Sequence, residues 1–236
     1  MSTGRLFMIP TTLGESDVDM VLPLTVKKTI DELDEFIVEN EKTARAFLKK
    51  MNIPTPQSEL KLHVLNKHTD NQVFYGFIDS CRNGMDIGVL SEAGCPGVAD
   101  PGSEIARIAH QENIQVIPLV GPSSILLALM GSGMSGQSFT FHGYLPKDKS
   151  TLKSKIKEME IQSINNSQTQ IFIETPYRNI KLLESLLQIL NANTKLCIAC
   201  DLSLAEEFIK TKTVAQWKFS GKQNIHKRPC IFLIYV

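Results

Sequence analysis

A segment rich in glycine and proline is the part of the sequence best suited to binding a small molecule. Residues 91–102 read SEAGCPGVADPG, between an apolar run at 86–90 and a helix predicted over 103–112 with Ser103 as its N-cap. Glycine lets a backbone turn sharply and approach a ligand closely, and proline stiffens the turn. Ligands of open α/β sheets lie beyond the carboxyl ends of strands, where this segment is expected. The pattern is equally typical of an ordinary loop, so both interpretations stay open.

The spacing of these glycines excludes the two common phosphate-binding loops. The segment matches neither G-x-G-x-x-G nor a P-loop, since no Gly-Lys-Ser/Thr is present. It therefore favours a cofactor without phosphates that is held mostly by backbone groups. A bulky side chain at Gly94 is expected to fill the space that such a cofactor needs.

The elements around this segment predict an α/β protein of two domains. Residues 1–118 alternate short strands with helices, which is typical of a mostly parallel sheet covered by helices. Residues 119–236 bring several strands close together near their end, which indicates a mixed sheet. We therefore predict an N-terminal α/β domain over 1–118 and a C-terminal α/β domain over 119–236.

Composition argues against several classes of protein. Hydrophobic residues make up 42% and charged residues 21%, so a packed core is expected and disorder is not. No apolar run reaches the roughly 18 residues of a membrane helix, and the N-terminus lacks a signal-peptide pattern. We predict a cytoplasmic protein without membrane association. The five cysteines lack paired ligand spacing around Cys197-x-x-Cys200, so we predict buried thiols, no disulfide and no metal.

Positive charge is concentrated in the second half of a chain whose formal net charge is +0. Lys149, Lys153 and Lys157 are four residues apart on a helix predicted over 147–159, so they share one face. Together with Lys147 and Arg178 they are suited to holding phosphates. A neutral chain is not typical of a nucleic-acid-binding protein, and a solvated basic face is the alternative.

Six segments, in order along the chain, resemble those of one known family. They read IPTTLG at 9–14, ENEKTAR at 39–45, SEAGCPGVADPG at 91–102, PLVGPSS at 118–124, GYLP at 143–146 and ETPYR at 174–178. The family's segments read V-P-T-P-I-G, E-D-T-R-H-T-R, S-D-A-G-T-P-x-I-S-D-P-G, P-L-P-G-P-S-A, G-F-L-P and E-S-P-H-R. The chain thus resembles the tetrapyrrole methylase superfamily, and especially its ribosomal RNA small-subunit cytidine-2′-O-methyltransferase family.

The resemblance implies a homodimeric methyltransferase that binds S-adenosylmethionine in a cleft between its two domains. The positions expected to touch the cofactor are Pro10, Leu90, Ser91, Gly94, Pro96, Ser123, Ile173, Glu174, Thr175, Asp201, Leu202, Pro229 and Cys230. The expected acceptor is RNA or a ribosomal subunit, and its expected contacts are Arg45, Lys147, Lys149 and Arg178. A ribose hydroxyl is a poor nucleophile that profits from a general base. The candidate bases are Glu39, Glu92, Asp100 and Glu174.

One segment differs from the family's in five of its seven positions, and three of these changes alter a charged or ionisable group. In ENEKTAR, Asn40 stands where the family has an acid, Glu41 adds a negative charge and Thr43 replaces a histidine. Two other functions stay open, and these changes suggest the second of them. One is methylation of a tetrapyrrole-like small molecule, and the other is a regulatory protein that binds S-adenosylmethionine without catalysis.

Overall fold

The computed structural model describes residues 3–65 and 71–236, and these residues contain two five-stranded sheets. The strands are β1 (Arg5–Ile9), β2 (Glu35–Val38), β3 (Lys61–Val64), β4 (Ile87–Leu90), β5 (Gln115–Pro118), β6 (Phe139–Tyr144), β7 (Thr169–Ile173), β8 (Lys195–Cys200), β9 (Phe208–Thr213) and β10 (Cys230–Tyr235). The helices are α1 (Val18–Val21), α2 (Leu24–Asp31), α3 (Glu41–Lys50), α4 (Asn71–Gly76), α5 (Asp79–Arg82), α6 (Gly102–Gln111), α7 (Ser124–Ser132), α8 (Lys149–Asn166), α9 (Asn179–Ile189) and α10 (Val214–Lys218). A 3-10 turn covers Pro176–Arg178.

The chain divides into two compact units, one up to Ser123 and one from Ser124 onward. The first unit contains a sheet in the order β3-β2-β4-β1-β5, and every pairing in it is parallel. Parallel neighbours need crossover connections, and helices supply them here. The central strand β4 is buried along its whole length. The predicted parallel sheet of the first half is therefore confirmed.

The second unit contains the mixed sheet that the sequence predicts. Its order is β6-β7-β10-β8-β9, with β6 parallel to β7 and the other pairs antiparallel. One face of this sheet, including Phe172, Ile198 and Phe232, packs against α8, α9 and α10. Alternate residues of a strand point to opposite faces, so Cys197 lies on the face away from this core.

Two helices begin differently from their predicted starts. Helix α6 begins at Gly102 with Pro101 at its N-cap, so the prediction that Ser103 caps the helix is wrong. Proline suits this position because its φ is already close to the helical value. Helix α8 begins at Lys149, after the cap Asp148, and continues to Asn166. Lys147 therefore precedes the helix, and the helix is longer than predicted.

Candidate functional site

The loops after β1, β4 and β5 meet at the carboxyl edge of the first sheet. The Thr11 amide donates to the Gly94 carbonyl oxygen at 3.0 Å, and the hydroxyls of Thr11 and Ser91 lie 3.3 Å apart. A Cβ on Gly121 would lie 2.3 Å from Pro10 Cγ, so only glycine fits there. These contacts place three of the matched segments side by side beyond the carboxyl ends of the strands, where ligands of open α/β sheets bind.

The loop after β4 has the special backbone that its glycines predict. Gly94 has φ +80° and Gly97 has φ +78°, both in the left-handed region that favours glycine. Asp100 braces the loop, because its Oδ1 accepts hydrogen bonds from the amides of Gly97 and Gly102. Burial raises the pKa of Asp100, and these two backbone hydrogen bonds partly oppose that shift. Its carboxylate is thus engaged in holding the loop.

A pocket of about 320 Å³ lies beside this loop in the first unit. Its walls come from the loop after β1, helix α3 and the start of the loop after β4; the lining residues are Thr11, Thr12, Leu13, Gly14, Glu15, Thr43, Ala44, Ala46, Phe47, Lys50, Leu90, Ser91, Glu92 and Ala93. The Thr43 hydroxyl donates to Glu92 Oε1 at 2.7 Å. Of the candidate bases Glu39, Glu92 and Asp100, Glu92 is the one that lines this pocket, while the other two border a separate small recess.

Helix α3 keeps a capped start despite its unusual sequence. Asn40 Oδ1 accepts from the amides of Lys42 at 2.9 Å and Thr43 at 3.3 Å. Asparagine and aspartate are comparable N-caps, so the exchange of an acid for Asn40 preserves the helix start. Arg45, in contrast, pairs with Glu41 at 2.8 Å and donates to the Gln57 carbonyl. Arg45 does not line the pocket, and its role in holding substrate stays a prediction.

The predicted cofactor positions of the second unit lie together on neighbouring strands. Ile173 pairs with Ile231, Cys200 pairs with Cys230, and the Asp201 amide donates to the Pro229 carbonyl at 3.0 Å. Thus the ends of β7 and β8 and the start of β10 form one edge of the sheet. Contact with a cofactor at this edge stays a prediction.

Two features of the segment after β8 distinguish it from an ordinary connection. Asp201 and Ser203 have φ of +50° and +64°, and non-glycine residues rarely adopt such values. Arg228 holds Asp201 through an ion pair of 2.6 Å, which raises the pKa of Arg228. The Ser203 hydroxyl is buried without a hydrogen-bond partner among the described residues. Backbone strain and an unpaired polar group of this kind are common where a ligand binds.

The five cysteines are free thiols. The two whose sulfur atoms lie next to each other are not the two cysteines of the C-x-x-C motif. Cys200 and Cys230 occupy paired positions on β8 and β10, and their sulfur atoms are 3.0 Å apart. The Cys230 thiol donates to Cys200, which raises the pKa of Cys230 and lowers that of Cys200. Three residues along a strand reverse the direction of a side chain, so Cys197 points away from this pair.

The predicted phosphate ligands of the second unit share one groove. Lys147, Lys149 and Arg178 line it, and Arg178 forms an ion pair of 3.0 Å with the buried Glu174. The Thr175 amide also donates to Glu174 Oε1 at 2.7 Å, so this candidate base is held by its own segment.

Two residues at these sites were not found from the sequence. Lys50 lines the pocket of the first unit and donates to the Ser16 carbonyl, although it lies outside the matched segments. Lys181 lines the basic groove from the first turn of α9. The available signal was helical spacing, because Lys50 lies seven residues after Thr43 and Lys181 three after Arg178, on the same helix faces.

Residues 3–65 and 71–236 contain neither a cluster suited to a metal ion nor a helix suited to a membrane. They contain no cluster of three or more His, Cys, Asp or Glu side chains arranged to hold a metal ion. No helix among them is long and apolar enough to cross a membrane. The absence of a metal and of membrane association stays a prediction.

Comparison with known proteins identifies the family. The profile described as Tetrapyrrole (Corrin/Porphyrin) Methylases matches residues 21–217. A protein named Ribosomal RNA small subunit methyltransferase I from Vibrio cholerae is 29% identical, over 89% of this chain and 69% of its own length. The protein of the same name from Pseudomonas aeruginosa is 25% identical, over 99% of this chain and 79% of its own.

Solved structures share the fold at low sequence identity. The methyltransferase CobJ matches with a TM-score of 0.65 at 14% identity, over 99% of this chain and 94% of its own. Uroporphyrin-III-C-methyltransferase from Thermus thermophilus matches with a TM-score of 0.55 at 16% identity, over 98% of this chain and 92% of its own. Identities this low establish the fold alone. Because the family profile spans most of the chain, the protein belongs to the tetrapyrrole (corrin/porphyrin) methylase family and is a methyltransferase.

Proposed function

We propose that this protein transfers a methyl group from S-adenosylmethionine to a ribose hydroxyl of ribosomal RNA, acting as a cytoplasmic homodimer. The observation that carries the proposal is the convergence of three matched segments, at 9–14, 39–45 and 91–102, around the pocket of the first unit. Two relatives that match most of the chain are named as ribosomal RNA methyltransferases. The proposal extends their named activity to this chain.

The residues present fit S-adenosylmethionine. When bound, it supplies an electrophilic methyl group carried on a sulfonium. Its adenosine and amino-acid parts carry no phosphate, which agrees with a loop that lacks a phosphate-binding glycine pattern. In the first unit we assign it to the loop of Ser91, Gly94 and Pro96, together with Pro10, Leu90 and Ser123. In the second unit, the unpaired buried hydroxyl of Ser203 supports a ligand beside Asp201 and Leu202.

We assign the acceptor nucleotide to the pocket of about 320 Å³ beside that loop. The loop after β4 supplies Ser91 and Glu92 to the pocket, so an acceptor there lies next to the assigned cofactor residues. Methyl transfer depends mainly on the alignment of the acceptor oxygen with the methyl carbon. A pocket bordered by the cofactor loop would hold the acceptor in that alignment. Glu92 would take the proton from the ribose hydroxyl as that oxygen bonds to the methyl carbon; the bond from that carbon to the sulfonium sulfur would break, and a neutral thioether would leave. The Thr43 hydroxyl, 2.7 Å from Glu92 Oε1, would hold the carboxylate in place.

The test of this function is methyl transfer from tritiated S-adenosylmethionine to a panel of acceptors. Undermethylated small ribosomal subunits, free ribosomal RNA and a tetrapyrrole such as uroporphyrinogen are offered separately. We expect label in the RNA, and nuclease digestion should recover it as a 2′-O-methylnucleoside. Label in the tetrapyrrole alone would replace the RNA assignment, and tight cofactor binding with no transfer to any acceptor would favour the regulatory function.

Replacing Glu92 with glutamine should lower kcat by about 10²- to 10⁴-fold, because glutamine cannot accept the hydroxyl proton. The affinity for S-adenosylmethionine should stay unchanged, since the carboxylate is assigned to the acceptor. Glu59→Gln is a matched control, because it removes the same charge from an exposed position of the first unit. Full activity in Glu92→Gln would rule out this carboxylate as the base.

A further inference from the structure

The basic groove of the second unit lies between helices α8 and α9. It has a volume of about 540 Å³, and Leu152, Leu182 and Ile189 supply apolar parts of its lining. Its cationic side chains are Lys147, Lys149, Lys153, Lys157, Arg178 and Lys181. Glu174 is the single acidic residue of the lining, so the groove carries a formal excess of five positive charges.

Most of these cations lack a carboxylate partner. Arg178 is paired with Glu174, but none of the five lysines forms an ion pair within 4.0 Å among the residues that the structure describes. Lys155, on the same helix but outside the groove lining, does pair with Glu158 at 2.9 Å. Like charges four residues apart on a helix destabilise it, so an uncompensated row of them points to an anionic ligand.

The arrangement of the lysines favours a linear polyanion over a compact anion. Lys149, Lys153 and Lys157 repeat every four residues of α8, which spaces them about 6 Å apart along the helix axis. A single phosphate or carboxylate would need donors that converge on one point. A row of charges instead suits a polymer whose negative charges recur along its length, as in a phosphodiester backbone.

The groove begins beside one of the matched segments. Glu174 and Arg178 belong to ETPYR at 174–178, which directly follows β7. From there Lys181, Ser185 and Gln188 line successive turns of α9. A strand held at the end of β7 would therefore continue along the two helices.

We infer that this groove binds the phosphodiester backbone of the RNA that flanks the acceptor nucleotide, without reading its bases. The inference rests on the proposed function, because it assumes that RNA is the acceptor. Phosphate contacts position a nucleic acid and carry no sequence information. Binding here should therefore depend strongly on salt and little on base sequence.

The test compares two triple variants that lose equal charge. The groove variant carries Lys149→Gln, Lys153→Gln and Lys157→Gln, and the control carries Lys155→Gln, Lys218→Gln and Lys222→Gln, all outside the groove lining. Affinity for a single-stranded ribosomal RNA fragment is measured across a salt series. We expect the groove variant to bind about 10- to 100-fold more weakly near 0.1 M salt, with a log-log salt slope reduced by about 2. The control should stay close to the parent, and both variants should keep the parent's affinity for S-adenosylmethionine.

Three results would overturn the inference. The first is that the groove variant binds RNA as tightly as the parent does. The second is that both triple variants weaken binding equally. The third is that polyglutamate displaces the RNA at equal charge concentration, which would assign the groove to an acidic protein. Methyl transfer by the parent separates this failure from that of the proposed function. If the parent methylates RNA and the groove variant binds RNA as tightly as the parent does, the proposed function stands and the groove is not its RNA-binding site. If the parent methylates no RNA, both the proposed function and the inference about the groove fail.

Discussion

Replacing Gly94 with alanine is expected to weaken S-adenosylmethionine binding on the order of 100-fold. Gly94 has φ +80°, where an L side chain costs about 1–2 kcal/mol. The added Cβ would also lie 3.0 Å from Leu13 Cδ2 and 3.1 Å from the Pro122 carbonyl oxygen. Crowding of a packed site adds about 1–3 kcal/mol, so the loop should move away from its binding geometry.

The control for this prediction is Gly97→Ala in the same loop. Gly97 has nearly the same φ, +78°, but its Cβ would meet neighbours only at 3.5 Å or more, an ordinary contact distance. Calorimetric titration of both variants therefore separates the effect of crowding from that of backbone strain, and Gly94→Ala should lose more affinity. An unchanged dissociation constant in Gly94→Ala would remove this loop from the cofactor site.

The structure changes the reason for this expectation. The sequence predicts that a side chain at position 94 would occupy the ligand's own space. The Cβ instead points at Leu13 and Pro122, both within the protein. Affinity should therefore be lost through displacement of the loop that carries Ser91 and Pro96, and a larger residue than alanine is not needed.

Replacing Glu160 with leucine should destabilise the protein by about 3 kcal/mol or more. Glu160 lies on α8 with 5% of its surface exposed, and its carboxylate accepts from the Asn191 amide at 2.8 Å, from Asn191 Nδ2 at 2.6 Å and from the Thr194 hydroxyl. Leucine leaves these donors without their acceptor, and each unsatisfied buried group costs about 1–3 kcal/mol. Helix α8 also carries the groove lysines, so RNA binding should weaken as the helix loosens.

The matched control is Glu158→Leu on the same helix. The Glu158 side chain is 50% exposed and pairs with Lys155 on the surface, so its loss should change the free energy of unfolding by about 1 kcal/mol or less. Both variants remove one negative charge and add the same side chain. Chemical denaturation of the two compares a buried carboxylate with an exposed one. Equal destabilisation would show that the contacts of Glu160 with the segment after α9 contribute no more to the free energy of unfolding than the exposed ion pair of Glu158.

The sequence alone determined the class of fold and the segments that matter. Short apolar strands alternating with helices predicted the parallel sheet, and clustered strands predicted the mixed one, because both patterns follow from local burial and connection length. The loop at 91–102 was also readable, since positive φ at Gly94 and Gly97 is a local requirement that glycine meets. The order of the six segments indicated the family, whereas the chemistry of each segment alone did not.

The tertiary structure decided which side chain meets which. Four carboxylates were candidate bases in the sequence. Asp100 braces its own loop, Glu39 borders a separate recess and Glu174 is held by its own segment. Glu92 lines the pocket opposite Thr43, 49 residues away. The register between β8 and β10 likewise paired Cys200 with Cys230, and the packing of α9 on α8 brought Lys181 to the groove. Such partners are set by how distant elements pack and align. Residue spacing along the chain records only which face of its own helix or strand a side chain occupies.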